Sequence, residues 1–191
     1  TISFLFELVH PKSALFQELF TWINKNEPEL LVRFEKEQIM KETRLEIFKG
    51  IFDYYKKQKI TLRVSVNFSP EELACFVEID EIFITYAASQ VEEGLAPNLL
   101  YDLISILENT KRAFRFREKL IEVLFGILQN YTAEPFIVAK AINALNALGF
   151  NDSKTFDDII NSGIDVENYE VRNALLYFLS TVEYFEHHST F

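Results

Sequence analysis

Cysteine is almost missing from this sequence. Cys75 is the only one in 191 residues, so no intramolecular disulfide can form and no cysteine-rich metal site can be assembled. It stands in the apolar run Leu73–Val77 and is read there as a small core residue rather than a nucleophile. Glycine and proline are scarce, five of each, and fall mostly where helices should begin or end. Strand signals are scarcer still: Val64, Val66 and Phe68 alternate, but that run is too short to found a sheet. Long apolar runs are absent as well. Ile2 to Val9 reads as a short helix, too short and too polar for a membrane span, and no charged leader or cleavage signature precedes it. The expectation is a cytoplasmic segment, cut from a larger protein.

The motifs that carry chemistry are missing too. No GxxxxGK phosphate loop, GxGxxG, HExxH or GxSxG occurs. Histidine is confined to His10, His187 and His188, near the two ends. Glu183 and His187 are one helical turn apart, but two ligands make a poor metal site. Acidic pairs at Glu71–Glu72 and Asp157–Asp158 suit helix first turns, where negative charge is favourable, and need no catalytic explanation. We therefore read a non-enzymatic chain with no catalytic residues, no metal and no cofactor.

What the sequence has in quantity is helix-forming apolar pattern. About half the residues are hydrophobic and 19 are phenylalanine, which excludes a disordered chain. The clearest stretch is Glu134–Gly149: Pro135 suits a first helical position, and Ile137, Val138, Ala141, Ile142, Leu145 and Leu148 form an apolar stripe. Gly149 suits a left-handed cap. The pattern recurs. Leu100, Leu103, Ile104 and Leu107 match Val138, Ala141, Ile142 and Leu145, and so do Val171, Ala174, Leu175 and Phe178, at spacings of 38 and 33 residues. Helix pairs at such a period mark stacked α-repeats, in which no unit can bury its apolar face alone; the alternative is an ordinary helical bundle.

Upstream, Pro11 opens a helix with Leu15, Phe16, Leu19, Phe20 and Ile23 on one face, and Pro28 starts a short turn. A longer helix spans Lys41 to Lys57, with Leu45, Phe48, Ile51, Phe52 and Tyr55 inward and Gly50 kept for a close contact. Thr61 to Asn67 reads as an extended connection, and Ser69 with Glu72 forms a capping box for the helix that follows. Further helices are expected from Arg112 to Gln129, from Ser153 to Asn161, and from Asn168 to Tyr184 or beyond.

The net charge of −10 argues against nucleic-acid and anionic-membrane partners, but it is distributed in blocks. Val64 to Thr110 holds nine acids and no base, and Lys111 to Lys119 then holds five bases. Arg112, Arg115 and Lys119 share one helical face, beside Lys111 and Arg117. These five residues are the candidate interaction face, with phosphate, RNA or an acidic helix as its possible ligands. The preferred reading is neutralisation from within the chain, by Glu118 and Glu122 nearby or by Glu92, Glu93, Asp102, Asp157 or Asp158 on packed helices.

The order of features in the N-terminal half carries a resemblance. Trp22–Leu31 is a helix end, an acidic proline turn and two leucines; Arg44–Tyr54 follows, then a Leu-Ala-x-Phe helix at Leu73–Phe76. This order resembles the helical region that follows the nucleotide-binding module in bacterial NACHT-type (STAND) NTPases, where HEAT-like helical repeats come next. The ATP-binding residues of that family have no counterpart here. The resemblance implies a recognition or scaffold segment of a larger signalling or defence NTPase, contacting a protein partner or other domains of its parent chain. The alternative is a free-standing α-repeat adaptor. The expected fold is all-α, with antiparallel helix pairs stacked as a HEAT-like α-solenoid: an N-terminal helical region over residues 1–94 and repeats over 95–191.

Overall fold

A computed structural model describes residues 13–111 and 113–182, and among them the chain is all-helical, without strands. The α-helices are α1 (Ala14–Asn26), α2 (Lys41–Gln58), α3 (Pro70–Val77), α4 (Glu81–Glu92), α5 (Pro97–Leu107), α6 (Arg117–Asn130), α7 (Pro135–Ala147), α8 (Ser153–Ile160) and α9 (Tyr169–Thr181). Short 3₁₀ turns at Pro28–Arg33, Lys36–Gln38, Leu62–Val64 and Ala113–Phe116 complete the set. The readings at Ile2–Val9, Pro11, Arg112, Glu183 and the three histidines lie outside the described residues. None of the described helices is long and apolar enough to cross a membrane.

Two compact units divide between Glu78 and Ile79, ahead of the boundary expected near Gly94. The division falls there because α4 packs on α6 and, to a lesser extent, on α5. In the first unit α2 packs on α3, and the Pro28–Arg33 turn meets α1, α2 and α3. The buried face of α2 comprises Arg44, Ile47, Phe48, Ile51, Phe52 and Tyr55, a step of three and four that holds one side of the helix inward. Arg44 was not expected inside; Leu45, placed inward by the sequence pattern, is only half-buried. The Arg44 guanidinium donates to Glu78 at 3.0 Å, while its Nε has no hydrogen-bond partner. Glu78 itself ends α3 in the left-handed region at φ 59°.

Several local signals act as read. Ser69 Oγ accepts from the Glu72 amide and the Glu72 carboxylate accepts from the Ser69 amide, closing the capping box. Pro28, Pro97 and Pro135 each stand in the first turn of their helix. Gly149 takes φ 76° after α7, the left-handed conformation that calls for glycine, and a Cβ there would be in ordinary contact with the Phe114 ring at 3.4 Å. Other readings fail. Gly50 has no close contact, since a Cβ would meet nothing within 4 Å among the described residues. Cys75 is exposed, because α3 is short and turns Leu73, Ala74, Phe76 and Val77 inward. Leu15 is also exposed, leaving Phe16 and Ile23 as the buried positions of α1. Thr61–Asn67 contains a 3₁₀ turn instead of an extended run.

In the second unit α7 packs on α5, α6 and α9. All twelve matched repeat positions, four on each of α5, α7 and α9, are buried. Polar ties join the helix ends: Lys140 on α7 donates to both oxygens of Glu108 at 2.7 Å, and Asn151 Nδ2 donates to the Thr181 carbonyl at 2.7 Å. Tyr131 Oη, after α6, accepts from the Leu95 amide at 2.8 Å and donates to the Leu95 carbonyl at 3.4 Å.

Candidate functional site

Among the described residues the basic stretch does not form one helical face. Residues 113–116 are a 3₁₀ turn and α6 begins only at Arg117, so Arg115 and Lys119 are not set one helical turn apart on a common helix. Packing decides this start. Phe114 and Phe150 meet edge to face with ring centres 6.1 Å apart, and the Arg117 guanidinium lies 4.7 Å over the Phe150 ring. Those contacts, between residues more than thirty positions apart, fix the segment before α6 more firmly than helix propensity could.

Each cation has its own surroundings. Arg117 pairs with Asp152, the N-cap of α8, and also reaches Thr155 Oγ1 at 3.4 Å. Burial alone would raise the Asp152 carboxyl, but donation from the Thr155 amide and hydroxyl, then from Arg117, outweighs it and the pKa is lowered. Lys119 pairs with Glu81 at 2.7 Å across α4 and α6. The acids that meet Arg117 and Lys119 are thus Asp152 and Glu81. Nothing in the sequence neighbourhood of Asp152 tied it to Arg117. Arg115 lies 5.6 Å over the Phe116 ring, and it and Lys111 are exposed with no carboxylate in ion-pair reach among the described residues. Arg112 lies outside them.

The most elaborate polar site is in the first unit. Glu29, in the 3₁₀ turn after Pro28, accepts from Tyr55 Oη at 2.8 Å, Ser65 Oγ at 2.8 Å and Asn67 Nδ2 at 3.0 Å. Burial, together with the neighbouring carboxylate, pushes the Tyr55 hydroxyl up to about 12. One carboxylate therefore ties the turn, α2 and the loop before α3 together. The arrangement is a clamp, with all three side-chain donors turned onto Glu29. Among the described residues no group of three or more His, Cys, Asp or Glu side chains could hold a metal ion.

A groove of about 490 Å³ runs between α4 and α6. Ile84, Ala88 and Val91 of α4 and Val123, Phe125 and Gly126 of α6 line its apolar part; Glu92, Glu122, Gln129 and Asn130 are among the polar groups at its edge. Gly126 is inside a helix, where glycine costs roughly 1 kcal/mol against alanine. A Cβ there would meet nothing within 4 Å among the described residues, and its φ is not positive. Sequence reading passed over this residue, whose environment depends on how far apart α4 and α6 lie. No family model, curated protein or solved structure matches the chain.

Proposed function

We propose that this chain is a non-catalytic recognition and scaffold segment of a larger NACHT-type NTPase, its second unit a HEAT-like array of helix pairs. The observation that carries the reading is the packing of α7 against both α5 and α9, the three helices whose apolar positions match in sequence. In stacked α-repeats each unit touches its neighbours and together they bury a continuous core. Two further features support it. The basic residues Arg117 and Lys119 are engaged in joining helices, and the polar clamp at Glu29 holds loops in place. The order of features across Trp22–Leu31, Arg44–Tyr54 and Leu73–Phe76 supplies the NTPase parentage. On this reading the partners are proteins or other domains of the parent chain.

The test is to sequence the genomic reading frame upstream of the codon for Thr1. The expected result is an in-frame nucleotide-binding module with a GxxxxGK[ST] loop. A start codon immediately beside Thr1 would overturn the parentage and leave a free-standing adaptor.

A further inference from the structure

We infer that the groove between α4 and α6 is a docking site for an amphipathic helix of a partner protein, one with lysine or arginine flanking its apolar stripe. The inference rests on the reading of the chain as a protein-recognition segment, though not on its NTPase parentage. Three observations lead to it. The groove has an apolar lining supplied by both α4 and α6, the kind of surface onto which a helix lays its apolar face. Gly126 is part of that lining. A Cβ there would meet nothing within 4 Å among the described residues, so the surface at Gly126 is open to a group arriving from outside.

The third observation is charge, and it selects the occupant. Glu92 and Glu122 stand at the edge of the groove without an ion-pair partner among the described residues. The single base that lines it, Lys119, already has its ammonium 2.7 Å from Glu81. No other base can come from α4, since Val64 to Thr110 contains none. An acidic helix would meet carboxylates at both walls, whereas a basic one would pair with them around an apolar contact.

The experiment uses the full 191-residue chain and two fluorescein-labelled probe peptides of about 14 residues, the length of α6. One is an amphipathic leucine–lysine helix and the other a leucine–glutamate helix of the same pattern. Fluorescence anisotropy should give micromolar binding of the lysine peptide and none of the glutamate peptide. Gly126→Trp, which fills the groove, should weaken binding by about tenfold or more. Glu92→Lys with Glu122→Lys should do the same, while the control pair Asp158→Lys with Glu167→Lys should stay within about twofold. Absence of lysine-peptide binding overturns the proposal. Equal losses in the groove and control reversals also overturn it, because they mean diffuse attraction to an acidic chain. If Gly126→Trp unfolds the chain by circular dichroism, the Glu92→Lys with Glu122→Lys pair decides alone, and unchanged lysine-peptide binding by that pair overturns the proposal.

Discussion

Leu145→Ala is expected to destabilise the chain by about 2–5 kcal/mol, read as a fall in the urea midpoint at unchanged slope. Leu145 is fully buried on α7, the helix that packs on α5, α6 and α9. Removing its isobutyl group loses transfer free energy and leaves a cavity that three neighbouring helices cannot all close at once. Position also matters. A core leucine at the edge of a bundle can be compensated by movement of one helix, but α7 is held on several sides. A loss well under about 1 kcal/mol would mean that the site collapses freely, and the role given to α7 would be wrong.

Glu29→Ala should cost about 2–4 kcal/mol at neutral pH, although Glu29 itself is only half-buried. The cost arises mainly at Tyr55, which is buried and whose hydroxyl would be left without its acceptor, while Ser65 and Asn67 can turn to water. The same clamp has a pH signature. Tyr55 loses its proton near 10 when unfolded and at about 12 when folded. Between those values the native chain holds a proton that the unfolded chain has released, so stability falls as pH rises. The contribution is complete below about pH 10 and disappears as the pH passes about 12. Denaturation of the wild type and of Tyr55→Phe should therefore converge over that window. Curves that stay parallel from neutral pH to pH 12 would show that Tyr55 is not held as described.

The signals legible in the sequence are those that act within one turn of chain. Ser69 with Glu72, the prolines that start helices, and Gly149 after α7 all work through backbone groups a few residues away, so spacing alone exposes them. The buried stripes of α5, α7 and α9 were legible for the same reason, since helical period fixes which residues share a face. What escaped was set by partners distant in sequence. α6 starts at Arg117 because the aromatic rings of Phe114 and Phe150 meet there. Arg44 turns inward to reach Glu78, thirty-four residues on, against the usual exposure of arginine. The Glu29 clamp gathers donors 26, 36 and 38 residues away, and no local pattern announces such a meeting. Cys75 was misplaced by a different cause: in the short helix α3, one residue of an apolar run must face outward whatever its hydrophobicity.

The central claim is that the helices with matched apolar positions pack in chain order, α5 on α7 and α7 on α9. Methyl-labelled nuclear Overhauser spectroscopy of the 191-residue chain tests it directly, since Leu100, Leu103, Ile104, Ile142, Leu145, Val171 and Leu175 all carry assignable methyl groups. The account predicts cross-peaks from α7 methyls to methyls of both α5 and α9. Cross-peaks that join α9 to α5 while leaving α7 unconnected to either would contradict it.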